Sequence, residues 1–207
     1  MHGFASSGQS TKARYFREKC EALAQIDYHA INFTPTPRDF EYVTTTGLVN
    51  RLRQYVLDYD LKAVGIIGSS YGGLVAIHYT YRFGDVEWML LLAPGLRWLS
   101  GGLSEEQLEA WKTADAAPVY HEEFQREVPV RYDLQVDGMN YSEPIPPVAP
   151  TKIIHGKRDT TVPIEDSRAY AAKYPDKVQL SEVEADHDLN NHLDYVWEHV
   201  QSFLLDT

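Results

Sequence analysis

Three short stretches of this chain hold residues that together could perform acyl transfer. Ser70 lies in "GSSYGG", Asp159 in "HGKRDTTVP" and His187 in "ADHDLNNH". A serine hydroxyl is a weak nucleophile until a base removes its proton as it attacks. A neutral imidazole suits that task, and a carboxylate suits the task of orienting the imidazole and stabilising its charged form. Each residue is unremarkable alone. A serine-glycine turn also serves as a plain connection, an aspartate before two threonines also caps turns, and a histidine between two aspartates also suits a surface. The order Ser, Asp, His, with each group just beyond a different strand-like run, gives the set its weight.

The serine stretch is the most specific. "KAVGIIG" (Lys62 to Gly68) is a continuous apolar run rich in β-branched residues, as expected of a strand buried on both faces. Leu74, Ile77 and His78 then fall at helical spacing, and Gly84 stops the pattern after Phe83. Gly68-x-Ser70-x-Gly72 therefore sits where a strand turns sharply into a helix, with glycines where a Cβ would clash across the turn. This selects Ser70 over Ser69, which has Ile67 two places before it. The backbone N–H of Tyr71 then becomes one donor to a developing oxyanion. A second belongs on an early loop. "MHGFASS" offers His2-Gly3-Phe4, with the N–H of Phe4 first and that of Ala5 next.

Other candidates are weaker. Asp166 falls within the helix expected after Pro163. His78, His192 and His199 fall on helices, and His155 at a strand end, where a structural role is expected. His121-Glu122-Glu123 lacks the second histidine of a zinc-protease helix, and no other spacing suits a metal. No metal and no cofactor is expected.

These groups need a frame. Five strand-like runs, Tyr28–Phe33, Lys62–Ile67, Glu87–Leu92, Thr151–His155 and Val178–Val183, alternate with helical patterns at Thr11–Ile26, Thr44–Tyr59, Tyr71–Phe83, Ile164–Tyr174 and Asn190–Phe203. Such alternation predicts a three-layer α/β/α sandwich with a mostly parallel sheet, and functional groups at the carboxyl ends of its strands. The rhythm breaks at about 96–149. There a helix is expected over Ser104–Lys112 with a capping box from Ser104 and Gln107. An acidic "HEEFQRE", a hairpin strand "VPVRYDLQV" and the proline-rich "EPIPPVAP" follow. This reads as a small lid-like insertion in a single domain of 207 residues. Trp98, Trp111, Tyr120 and Phe124 of the insertion either line a substrate pocket or pack it onto the sheet.

The 207 residues carry a net charge of −11 and one cysteine, Cys20. The acidity speaks against nucleic acid or an anionic membrane surface as partner, and one cysteine excludes an internal disulfide. There is no apolar run of about 18 residues and no signal-peptide pattern, so a cytoplasmic location is the default. Nothing in the sequence fixes the oligomeric state.

The set His2-Gly3-Phe4, "GSSYGG", "HGKRDTTVP" and "ADHDLNNH" resembles the α/β-hydrolase superfamily, and is most similar to its small bacterial carboxylesterases and thioesterases. The likeness spans most of the chain and is weakest over Leu96–Val148. It implies Ser70 as nucleophile, Asp159 as acid, His187 as base, and an oxyanion-hole amide from Phe4. The implied activity is hydrolysis of a small-molecule ester or thioester. The alternatives are a serine peptidase or amidase and a non-catalytic binding protein on the same fold. In that family a strand precedes the His-Gly loop and lies beside the strand leading to the serine. Here Met1 directly precedes His2, so the resemblance implies a sheet shortened and disturbed at this end.

Overall fold

The computed structural model describes residues 1–98 and 102–205. Its strands are β1 (Val64–Ser69), β2 (Val86–Leu92), β3 (Ala116–His121), β4 (Arg126–Arg131), β5 (Thr151–Gly156) and β6 (Val178–Val183). Its helices are α1 (Thr11–Glu21), α2 (Pro37–Glu41), α3 (Thr45–Asp58), α4 (Tyr71–Phe83), α5 (Glu105–Ala114), α6 (Asp133–Gly138), α7 (Ile164–Lys173) and α8 (Leu193–Leu205). Four strands form one parallel sheet in the order β1-β2-β5-β6.

The strand β2 shows why the sheet forms. Its Met89 and Leu91 enter the core shared with α3, α4 and α7. Leu90 and Leu92 enter the core shared with α1 and α8. Side chains alternate across a strand, so an unbroken apolar run fills both faces. All four are at most 1 % exposed, and burial of each such side chain stabilises the fold by about 1.5–3 kcal/mol. Helices therefore cover both faces, which gives the expected three layers.

The structure departs from the sequence reading at several places. Segment 28–33, expected as a strand, joins no ladder among the described residues. Between it and β1 lies a groove of about 1060 Å³ lined by Phe16, Tyr28, Ile31, Val56, Gly65 and Ile67, among others. With that space between them, neither backbone can bond the other. Met1 bridges to the outer edge of β1: its N donates to Ile67 O (2.6 Å), and Ser69 N–H donates to Met1 O (3.1 Å). The expected strand Lys62–Ile67 begins at Val64 and runs on to Ser69, so it delivers the chain directly to the turn. The helix expected over Thr11–Ile26 ends at Glu21 in a short turn. The final helix starts with a single 3-10 turn, Asn190–His192.

Between β2 and β5 the capping box on α5 forms as expected, with Ser104 Oγ and Gln107 Oε1 each accepting the other's N–H. "VPVRYDLQV" does not form a single strand. β4 stops at Arg131, and Asp133 begins α6. The partner of β4 is the unexpected β3, paired antiparallel. Residues 99–101 of this segment lie outside the described residues.

Candidate active site

β1 ends in the turn that presents Ser70. Ser70 adopts φ 52°, ψ −119°, a region that costs a non-glycine residue about 1–3 kcal/mol. The surrounding hydrogen bonds over-determine it: Ser70 N–H donates to Leu92 O (2.9 Å), and Ser70 O accepts from Gly73 N–H (2.8 Å) and Gly95 N–H (3.0 Å). Ser70 caps α4 by position without using its hydroxyl. Its Oγ lies 3.0 Å from His187 Nε2.

Close approach explains the flanking glycines. A Cβ on Gly68 would meet Gly72 O at 2.8 Å, across the turn as expected. A Cβ on Gly72 would first meet the chain's opening residues. It would stand 2.6 Å from His2 O and 2.7 Å from Met1 O. Gly72 thus lets the chain's first residues lie against the start of α4, and Gly3 reaches the nucleophile: a Cβ there would be 3.3 Å from Ser70 Cβ.

Asp159 follows β5 in a tight turn. Its Oδ1 accepts N–H bonds from Thr161 (2.8 Å) and Val162 (2.9 Å), and its Oδ2 accepts from His187 Nδ1 (2.7 Å). The residue both caps its turn and faces the imidazole. Its side chain is fully buried. Burial opposes its ionisation, but the bonds from His187, Val162 and Thr161 outweigh that and hold its pKa below the ordinary carboxylate value. His187 lies in the loop after β6, with its side chain 22 % exposed, so the site opens to solvent. Ser70, His187 and Asp159 form one hydrogen-bonded chain. Asp166 is instead committed to Arg97 (3.1 Å).

The early loop is held by His2. Its Nδ1–H donates to Gly3 O (2.8 Å), and its Nε2 accepts from Phe33 N–H (3.2 Å). Burial lowers its pKa to about 4, so the ring is neutral and its tautomer is set by these two partners. In a planar trans peptide the C=O and the following N–H point in opposite directions. Pinning Gly3 O therefore fixes the direction of the Phe4 N–H. Tyr71 N–H stands at the first position of α4, where no intrahelical acceptor exists.

Of the four aromatics expected near a pocket, Trp98 lies beside the turn. Its ring is 5.9 Å from that of Tyr71, and its Nε1–H donates to Gln135 Oε1 (2.8 Å). Trp111 packs α5 onto the hairpin, donating to Val130 O (2.8 Å). Tyr120 is exposed on β3. Phe124 stacks on buried His121, 4.1 Å between centroids. Sequence reasoning missed Phe40, whose ring lies 5.1 Å from the exposed Phe4. It comes from α2, a five-residue helix signalled by Thr36-Pro37 and a capping box with Asp39. It also gave His155 no link to Asp159, although they share one motif.

No group of three or more His, Cys, Asp or Glu side chains among the described residues is arranged to hold a metal. No helix among them is long and apolar enough to cross a membrane.

A parallel sheet between helix layers, with a strained serine at a strand-to-helix turn, an acid after β5 and a histidine after β6, defines the α/β-hydrolase fold. Known structures share it. A protein of Agrobacterium vitis S4 assigned as a hydrolase matches with a TM-score of 0.79 at 18% identity, covering 97% of this chain and 84% of that one. Mouse alpha/beta hydrolase domain-containing protein 10 matches with 0.72 at 19%, covering 99% and 87%. Est1E from Butyrivibrio proteoclasticus, with ferulic acid bound, matches with 0.72 at 19%, covering 100% and 86%. No curated protein matches the chain. By its sequence over residues 1–204, the chain belongs to the uncharacterised protein family UPF0227.

Proposed function

We propose that this protein is a serine hydrolase that cleaves an ester or thioester of a small to medium acyl group. The observation that carries the reading is the hydrogen-bonded chain from Ser70 Oγ through His187 to Asp159 Oδ2. With Nδ1–H given to the carboxylate, His187 Nε2 is left as the acceptor facing the serine. Ser70 Oγ attacks the acyl carbon while Nε2 takes its proton, and a tetrahedral oxyanion forms. The N–H groups of Phe4 and Tyr71 stabilise that charge. The intermediate collapses as the bond from the acyl carbon to the leaving oxygen or sulfur breaks and the imidazolium protonates that atom, which releases the alcohol or thiol and leaves an acyl-serine. Water then attacks, deprotonated by the same nitrogen, and releases the acid and the free Ser70. Asp159 holds the imidazole and balances its charge at each stage.

Two further features favour an apolar acyl or aryl group. Phe4, 38 % exposed, presents its ring 5.7 Å from that of Tyr71 at the loop that supplies the oxyanion donor. Trp98 extends the same aromatic wall. The ferulic acid bound to the similarly folded Est1E fits this chemistry.

The test is covalent labelling of the purified protein with a fluorophosphonate, followed by hydrolysis of p-nitrophenyl esters of increasing chain length. Wild type labels and turns over, and Ser70→Ala and His187→Ala do neither. A folded wild type that does not label sinks the reading and leaves a non-catalytic protein on a hydrolase fold.

A further inference from the structure

We propose that His155 is a positioning residue of this site, forming with Ser167 a second hydrogen-bond relay that fixes Asp159 from the side opposite His187. The inference rests on the hydrolase reading for its kinetic meaning, and on geometry for its existence.

His155 is the penultimate residue of β5 and is 0 % exposed. Its Nε2 lies 3.1 Å from Asp159 Oδ2 and 3.1 Å from Val162 O. Both are acceptors, so Nε2 must carry the proton. Its Nδ1 lies 2.8 Å from the hydroxyl of Ser167 on α7, itself fully buried. Burial pushes the His155 pKa down, and in the neutral ring Nδ1 accepts from Ser167 O–H. Ser167 thus fixes the tautomer, and the tautomer aims a donor at the acid.

The consequence is at Asp159. A carboxylate offers about four acceptor sites, and here four donors fill them: Thr161 and Val162 N–H at Oδ1, His187 and His155 at Oδ2. The two imidazoles share one oxygen. His155 therefore locks the carboxylate plane and draws part of the charge of Oδ2 away from His187. The charged groups on neighbouring elements include Glu182 of β6, paired with Arg168 of α7 and also acted on by Lys157, and Lys12 of α1 beside Asp186 and Asp188 of the His187 loop. None of these is placed on Asp159 by a hydrogen bond.

Removing the donor should have two effects. The plateau rate falls because the acid and base lose their alignment. The midpoint of the pH–rate profile rises because an undivided Oδ2 holds the His187 proton more strongly. The experiment is the rate of fluorophosphonate labelling against pH for wild type, His155→Phe, His155→Gln and Ser167→Ala, each with its melting temperature. His155→Phe is expected to label roughly tenfold more slowly at the plateau, with its midpoint raised by roughly half a pH unit. His155→Gln, which keeps an N–H donor, recovers much of both. Ser167→Ala shifts the midpoint the same way but less, and carries the test if His155→Phe does not fold. A folded His155→Phe within twofold of wild type and with an unmoved midpoint overturns the proposal. If wild type itself does not label, the hydrolase reading fails. The proposal is then judged by the His187 midpoint from ¹⁵N-histidine NMR in wild type and His155→Phe, where an unchanged value overturns it.

Discussion

His187 Nε2 stands 3.0 Å from Ser70 Oγ, across 117 positions of sequence. The contact exists because β1 and β6, at opposite edges of one parallel sheet, both end on the same side of it. Replacing either side chain with alanine should lower the acylation rate by roughly 10³-fold or more, with little effect of the second replacement once the first is made. Single and double variants assayed with one activated ester check this.

Asp159→Asn tests the acid separately. The amide can still cap its turn through its oxygen, but it cannot balance an imidazolium and favours the wrong tautomer of His187. Turnover should fall by roughly 10³–10⁴-fold while substrate binding, read as KM, changes little.

The strain at Ser70 predicts a gain in stability. Ser70→Gly removes the Cβ that resists φ 52° and should raise stability by about 1 kcal/mol while abolishing labelling. Equal or lower stability by denaturant melting would show that the hydrogen bonds around Ser70, not strain, dominate there.

Gly72 and Gly84 offer a matched pair. Gly72→Ala places a Cβ against backbone oxygens of Met1 and His2. It should cost about 1–3 kcal/mol and displace the loop carrying the Phe4 N–H, with kcat falling by more than tenfold. Gly84 ends α4 at φ 68° with open space around it. Gly84→Ala should cost about 1 kcal/mol and leave kcat unchanged.

Acid should loosen the molecule well above the carboxylate range. Burial lowers the pKa of His2 and of His78 from 6.5 to about 4. Between those values the unfolded chain binds protons that the folded chain refuses, so stability rises with pH through that window and is lost as pH falls from 6.5 toward 4. Asp159 adds the usual carboxylate case: its contribution is complete above its ordinary value of 3.8 and is lost on further acidification. Urea midpoints measured from pH 7 to pH 4 should fall steadily, and His2→Gln should flatten part of the slope.

The layered α/β frame and the three residues of the hydrogen-bonded chain are legible in the sequence. Both are written in local patterns: apolar runs of strand length, helical spacing with caps such as Ser104–Gln107, and glycines bracketing Ser70. Where a strand lies between helices, its carboxyl end is where a loop residue can reach the site, so Ser70, Asp159 and His187 could be picked out by position alone. Tertiary structure decided what depends on partners. Residues 28–33 have the composition of a strand, but a strand is defined by its neighbour's backbone, and here a groove stands in that place. "VPVRYDLQV" reads as one strand, but its ladder with β3 ends at Arg131, and the rest turns into helix. In the sequence Trp111 and Phe124 suit a pocket lining and insertion packing equally well, and only the hairpin beneath them settles where they pack. His155 looked structural because nothing local says that a strand-end imidazole, four residues before an acid, will share that acid's oxygen with a second imidazole brought in from another strand's loop.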